Sequence, residues 1–412
     1  MSETNKELTG FGVENPATLM GALYASCQDA IIKVIEASSA PETRKQLRSW
    51  GINDVVNITG KSNTFIRSLE EKDEITSFKD ASGRKQYTLE TINKIRDIAG
   101  TRFKRGEKTQ PIICSTVNFK GGVGKSMTTL LLLQYLALEG VKVLGIDLDP
   151  QATLTTWFGF VPDVDLNSDD TLATTLCENH LDIKRVIKKT YFAGIDIIPA
   201  NLELQSAELR LQSLTDDKIS ELGSPMKRLE LALEQIKDDY DVILIDCPPN
   251  TGILTINAIC AVNSIIITLP PSMPDFASFV RLTKTLERIF NAINTKKLDF
   301  FRVLLTKHKG STKIELNAAT TRVEPKRSSA ANKLDQTMRK LFGEYMLVNH
   351  MVDSSEIDNT ANAFLSIYEK PFSKSNTTYR RAFEACNKVN AEIFEAFCEI
   401  WGSQNQKDGG SD

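Results

Sequence analysis

The run Ile112-Ile113-Cys114-Ser115-Thr116-Val117-Asn118, followed at once by Phe119-Lys120-Gly121-Gly122-Val123-Gly124-Lys125-Ser126, decides the fold of this chain. An apolar run of that length suits a strand buried on both faces of a parallel sheet. The glycines let the backbone curl so that its N–H groups face phosphate oxygens, and the helix predicted over Met127 to Glu139 adds the positive potential of its N-terminus. Nucleotide contacts are therefore expected from Lys120, Gly121, Gly122, Val123, Gly124, Lys125, Ser126 and Met127. Within that loop Lys125 is placed to reach the β- and γ-phosphates, and the Ser126 hydroxyl to hold Mg²⁺.

Outward from this loop, β and α patterns alternate. Val141 to Ile146, Ile195 to Ile198, Val242 to Ile245 and Ile265 to Leu269 read as further buried strands. Pro225 to Lys237 and Phe276 to Ala292 read as helices between them. The fold class is α/β, a doubly wound and mostly parallel sheet of the P-loop type, with the nucleotide-binding domain expected over residues 109–405 and a polar tail over 406–412.

Phe119 stands where the usual loop has its first glycine, and Lys120 adds a second lysine. This is the deviant Walker A loop, and the chain here resembles the ParA/MinD family of ATPases. Ile146-Asp147-Leu148-Asp149-Pro150-Gln151 is similar to the second acidic motif of that family, and Ile243-Leu244-Ile245-Asp246-Cys247-Pro248-Pro249 to its Walker B segment. Ile198-Pro199-Ala200-Asn201-Leu202 also looks like a family segment. Asp246, ending a buried strand near the phosphates, suits an outer-shell contact to Mg²⁺. The resemblance implies that Asp149 orients the attacking water and that Asp147 supports the metal side. It further implies that Lys120 reaches across a two-fold axis to the phosphates of a second subunit. Lys120, Lys125 and Asp149 are the expected catalytic residues, Ser126, Asp147 and Asp246 the expected metal site, and ATP/ADP with Mg²⁺ the cofactors. An aspartate after a strand can also simply cap a turn. Cys247 has no second cysteine in a cluster-ligand context and reads as a small packed residue.

The N-terminal third carries a different signal. Residues 1–40 comprise a loose tail and a helix with Met20, Leu23, Cys27, Ala30 and Val34 at heptad-like spacing. Its apolar stripe can pack on the next domain or on a twin in a dimer. Residues 41–108 read as a compact DNA-binding domain. Thr43 to Trp50 and Ile52 to Ile58 are predicted helices, and Thr59-Gly60-Lys61-Ser62 a turn whose serine caps the helix Asn63 to Glu71. A helix, a Gly-containing turn and a second helix form a DNA-reading unit. Its candidate contacts are Lys61, Ser62, Asn63, Thr64 and Arg67, with Phe65, Ile66 and Leu69 facing inward. Thr76 to Lys79 and Arg84 to Tyr87 read as a wing carrying Arg84 and Lys85, followed by a helix over Thr88 to Ala99 and a charged linker over Thr101 to Gln110. The region resembles a MerR-type winged helix-turn-helix and the N-terminal part of the large ParA and RepA partition proteins. That likeness implies a dimerisation helix, operator binding and repression of the partition operon.

Charge is unevenly spread. The formal net charge is −3, yet residues 41 to 110 hold fifteen Lys and Arg against ten Asp and Glu. Residues 301 to 340 hold ten against three. Such islands suit nucleic-acid surfaces, although either alone also fits a solvated face. Lys307, Lys309, Lys326, Arg327, Arg339 and Lys340 are candidates for sequence-independent DNA contacts, and Gln336 to Tyr368 resembles the family region with that role. The resemblance implies a homodimer, nonspecific DNA and a specific operator, and a centromere-binding partner of the ParB type.

No run approaches the length of a spanning helix, and MSETNKELTG is not a secretory signal. The end of the chain does not look like a membrane-binding amphipathic helix, so no membrane partner is expected, and the chain reads as cytoplasmic and nucleoid-associated. Seven scattered cysteines without a C-x-x-C pair argue against a disulfide framework. His180, His308 and His350 stand apart in the sequence and suggest no metal site. A DNA partition ATPase is the expected function. A nucleotide-gated repressor and a membrane-cycling positioning ATPase are the alternatives, separated by DNA-stimulated turnover and by liposome binding.

Overall fold

The computed structural model describes residues 16–37, 45–178, 182–293, 297–308, 330–371, 373 and 375–408. The chain forms two units, Met1–Gln46 and Leu47–Asp412. The first contains the helix Pro16–Ala37, along which Met20, Leu23 and Tyr24 are exposed.

The second unit opens with a small three-stranded sheet. Strand β1 (Trp50–Gly51) precedes the helices Ile52–Thr59 and Asn63–Glu71, and β2 (Phe78–Lys79) and β3 (Lys85–Tyr87) precede the helix Leu89–Ile98. The order is β1-β3-β2, with both pairings antiparallel. The turn between the first two helices contains Gly60 in the left-handed region, φ 68°, which glycine adopts without a Cβ clash. Ser62 Oγ accepts the Phe65 N–H at 3.2 Å, capping the second helix. Ile66 and Leu69 are buried and Phe65 half-buried.

A helix over Thr43 to Trp50 does not form. Residues 45–49 have no regular structure, Trp50 pairs with Tyr87 across β1 and β3, and both side chains are buried. Burying two aromatics in a cross-strand pair outweighs the weak helical preference of the segment. The wing strands are shorter than expected, and Asp80 closes their turn by accepting from the Ser82 and Arg84 N–H groups. Nor is the charged stretch 101–110 a free linker. Arg96 and Arg102 donate to the carbonyls of Leu138 and Gly140 at 2.8 and 3.1 Å, satisfying acceptors at the end of a helix. Phe103 packs between Phe394 and Trp401, with centroids 5.5 and 5.1 Å away.

Seven strands form the main sheet: β4 (Ile112–Val117), β5 (Val143–Asp147), β6 (Lys188–Lys189), β7 (Ile195–Ile198), β8 (Val242–Asp246), β9 (Ser264–Leu269) and β10 (Phe300–Leu305). The order is β10-β9-β4-β8-β5-β7-β6, parallel throughout except for β6 against β7. The five apolar runs picked out in the sequence form β4, β5, β7, β8 and β9. The two edge strands β6 and β10 were not anticipated. Alternate side chains feed two cores, as expected of a sheet covered on both faces. Cys114, Val143, Leu244 and Ile266 belong to one core, which includes residues of the helices Lys125–Leu138 and Thr377–Asp408. Val117, Ile146, Ile245 and Ile267 belong to the other, with residues of Arg228–Leu233, Ile253–Ala261 and Met273–Ala292.

Gly145 permits the close packing of the helix Lys125–Leu138. A Cβ there would lie 2.8 Å from Leu133 Cδ1. The final helix Thr377–Asp408 runs three residues into the stretch expected to be a tail, burying Tyr379, Cys386, Val389, Ile393, Phe397 and Trp401.

Candidate nucleotide-binding site

The loop after β4 is held in shape by its own side chains. Asn118 accepts the Lys120 N–H at 2.9 Å and donates to the Thr268 carbonyl at 2.7 Å. Gly122 and Gly124 have φ of 72° and 89°, so the left-handed turns fall on residues without a Cβ. Val123 is buried, and its carbonyl accepts the Thr306 hydroxyl at 2.7 Å, tying the loop to the end of β10. Gly124 caps the helix Lys125–Leu138, leaving the N–H groups of its first turn available for an anion.

A cavity of about 580 Å³ opens over this loop. Gly121, Gly122, Gly124, Lys125, Ser126, Met127, Asp149 and Pro249 line it, together with Thr306, Lys307, Met351, Val352, Asp353 and Ser354. A space of that size accommodates a nucleotide-sized ligand.

The three acidic residues occupy different environments. Asp149 lines the cavity and accepts the Gln151 N–H at 3.0 Å. Burial pushes its carboxyl up, opposed by that hydrogen bond and by Lys125. Asp246 is fully buried at the end of β8. Burial raises its carboxyl to about 7, against the hydrogen bond from Ser126 and the charge of Lys125. Its Oδ2 is buried with no hydrogen-bond partner among the described residues. An orphaned carboxylate oxygen beside a serine hydroxyl at a phosphate loop fits a hard divalent cation held directly or through water.

Asp147 has another task. Paired in register with Asp246 across β5 and β8, it accepts from the Asp149 N–H (3.1 Å), the Thr155 N–H (2.9 Å) and the Thr155 hydroxyl (2.8 Å). It does not line the cavity, and its acceptor positions are taken by the chain itself. In this structure Asp147 holds the loop that carries Asp149. Thr155 Oγ1 also accepts the Ala200 N–H at 2.8 Å, which draws the Ile198 to Leu202 segment into the same support.

Lys120 also departs from the cavity. Its ammonium lies 2.5 Å from Asp275 Oδ1, at the start of the helix Met273–Ala292, and it does not line the cavity of its own chain. Asp275 and Thr306 belong to no motif and are found only by the fold.

The candidate DNA contacts divide in the same way. Ser62, Thr64, Arg67 and Arg84 are exposed, whereas Lys61 and Asn63 are half-buried. Lys85 is exposed but paired with Glu70 at 2.7 Å. Lys307 lies in the nucleotide cavity wall, with φ 50°. Lys340 is exposed on the helix Ala330–Phe342, one heptad from the exposed Lys333. Arg339 is not free for DNA: it is bound to Asp335 at 2.7 Å and donates to the Leu347 and Val348 carbonyls, each at 3.1 Å. Lys309, Lys326 and Arg327 lie outside the described residues. The fold brings two histidines far apart in the sequence together, packing His308 against His350 with ring centroids 4.0 Å apart and planes tilted by 42°. His180 lies outside the described residues.

A parallel sheet whose strand β4 feeds this loop, with aspartates ending the adjacent β8 and the next strand β5, defines a P-loop nucleoside triphosphatase of the deviant Walker A class. A protein-family model described as an AAA domain matches residues 111–299. The chain is 34% identical over 381 residues to a putative replication protein A of Sinorhizobium fredii, covering 88% of this chain and 89% of that protein. It is 31% identical over 366 residues to protein SopA of Escherichia coli, covering 86% and 90%. A solved structure described as a partition protein superposes with a TM-score of 0.61 at 17% identity, over 93% of this chain and 99% of that one. The chain belongs to the ParA family of partition ATPases.

Proposed function

We propose that this protein hydrolyses ATP to drive DNA partition, and that its cycle alternates between a nucleotide-bound dimer on nonspecific DNA and a released form. The observation that carries the reading is the convergence of Lys125, Ser126 and Asp149 on one cavity, beside the orphaned oxygen of Asp246. A protein that only sensed nucleotide would have no use for a carboxylate at the end where the γ-phosphate belongs.

In this reading the loop N–H groups and Lys125 hold the phosphates. Ser126 and Asp246 would hold Mg²⁺, which would offset the charge on the β- and γ-phosphate oxygens. Asp149 accepts a hydrogen bond from the attacking water and aligns it with the γ-phosphorus. Lys120 leaves Asp275 and reaches the phosphates of a second subunit, so the dimer completes the site. The N-terminal region, divided from the ATPase near residue 108, binds an operator through Ser62, Thr64, Arg67 and Arg84. Lys333 and Lys340 contact DNA phosphates without sequence preference, and a ParB-type partner stimulates hydrolysis.

The test is ATP turnover with and without nonspecific DNA for the wild type, Lys120→Ala and Asp149→Ala. Slow turnover that rises with DNA and collapses in both variants is expected. No wild-type turnover, even with DNA and a partner protein, would sink the reading in favour of a nucleotide-gated repressor.

A further inference from the structure

The lining of the nucleotide cavity and the basic helix Ala330–Phe342 share one partly buried polar junction. His308, next to the cavity residue Lys307, donates its N–H to the Met351 carbonyl and accepts the Asp353 N–H through its own carbonyl, each at 3.0 Å. Met351 and Asp353 themselves line the cavity. The side chain of His308 points the other way: its Nε2 lies 3.2 Å from Asp335 Oδ2 on the basic helix. Asp335 Oδ1 accepts from Arg339 Nε at 2.7 Å, and Arg339 holds the carbonyls of Leu347 and Val348. Glu392 of the last helix anchors the same segment through the Val348 and Asn349 N–H groups, at 2.6 and 2.8 Å. The basic helix is thus fastened at one side to a fixed part of the body and at the other to residues that a nucleotide would touch. His350 lies in this junction with both ring nitrogens buried and without a partner among the described residues.

We propose that Asp335 is a positioning residue that links nucleotide occupancy to DNA affinity, by holding the basic helix to His308 at the wall of the nucleotide cavity. A nucleotide that shifts the backbone of residues 307 and 351–353 moves His308, and the helix bearing Lys333 and Lys340 follows through Asp335. Coupling of this kind typically changes affinity by roughly 5- to 150-fold between ligand states. The inference rests on the reading of this helix as a DNA surface, and the experiment separates the two.

The measurement is anisotropy of a labelled duplex of mixed sequence, titrated with full-length protein carrying Mg²⁺ and either a slowly hydrolysed ATP analogue or ADP. The readout is the ratio of the two DNA affinities, alongside affinity for a fluorescent nucleotide. Asp335→Asn removes a negative charge near the DNA in both states alike, so the ratio cancels that change. In Asp335→Asn and His308→Ala, nucleotide affinity is expected to stay within about twofold of wild type while the ratio falls toward one. His308→Gln, which keeps an N–H donor near the Nε2 position, is expected to restore most of it. If Asp335→Asn does not fold, the two His308 variants decide. Variants that fold, bind nucleotide and keep the wild-type ratio overturn the inference alone. A wild type that binds no DNA in either state overturns the DNA reading and the inference with it.

Discussion

Lys120 Nζ and Asp275 Oδ1 lie 2.5 Å apart, so the second lysine of the loop is engaged within its own chain. The Asp275 side chain is only 11% exposed, and its other oxygen takes the Ser272 hydroxyl. If Lys120 acts on the phosphates of a second subunit, this pair competes with dimer formation. An ion pair with one exposed partner is worth about 1 kcal/mol, near fivefold in an equilibrium constant. Asp275→Asn is therefore expected to lower the protein concentration at which the ATP-bound dimer forms by about two- to fivefold. Sedimentation with a slowly hydrolysed ATP analogue reads this directly, and an unchanged or weakened dimer would remove the competition from the cycle.

The acidic motif separates into two tests. Asp147 accepts three hydrogen bonds in a fully buried position, so Asp147→Ala strands three donors. The expected cost is about 1–3 kcal/mol of stability for each group left buried without a partner, read as a lower urea midpoint. Asp149 accepts one described hydrogen bond and faces the cavity. Asp149→Ala is expected to leave the midpoint within about 0.5 kcal/mol while turnover falls at least tenfold. The reverse pattern would mean that the structure assigns the two residues to the wrong roles.

How far the sequence carries the argument depends on whether a feature is local. The five interior strands are continuous apolar runs, and the phosphate loop is one contiguous motif, so both can be read from neighbours along the chain. The edge strands cannot: β6 is only Lys188–Lys189, and its partner Ile195–Ile198 supplies the register. The segment before Trp50 fails as a helix because Tyr87, thirty-seven residues later, offers a cross-strand partner. Lys120, Lys307 and Arg339 share a charge that suggests phosphate contacts. Only the fold shows that one is held by Asp275, another lines the nucleotide cavity, and the third clamps carbonyls. Charge is a property of the residue, whereas availability is a property of its surroundings.

That distinction gives a further prediction. Lys340 is exposed, so Lys340→Ala is expected to weaken nonspecific DNA binding alike on all sequences. The slope of log affinity against log salt should become shallower by about one, with no change in melting temperature. Arg339→Ala removes the clamp on Leu347 and Val348 and leaves Asp335 with one fewer partner. Its main effect should be on stability, by about 1–3 kcal/mol. Equal salt slopes for Lys340→Ala and the wild type would remove Lys340 from the DNA surface.

His350 contributes to the acid response. The residue is 5% exposed, with both ring nitrogens unpartnered among the described residues. Burial lowers its pKa to about 4, helped by the neighbouring charges of His308 and Arg339 and opposed by Asp335. In the unfolded chain the same group titrates near about 6.5. Between those values the unfolded state takes up a proton that the native state refuses, so stability is full above the unfolded value and falls as pH drops toward about 4. The contribution lost between about pH 7 and pH 5 is on the order of 1 to 2 kcal/mol. His350→Phe, similar in size and without a titrating group, is expected to flatten that part of the profile while other carboxylates and histidines act equally in both proteins. Urea unfolding of the two at each pH gives the difference. Parallel profiles for wild type and variant would mean that His350 is protonated in the native protein, with a counter-charge near it.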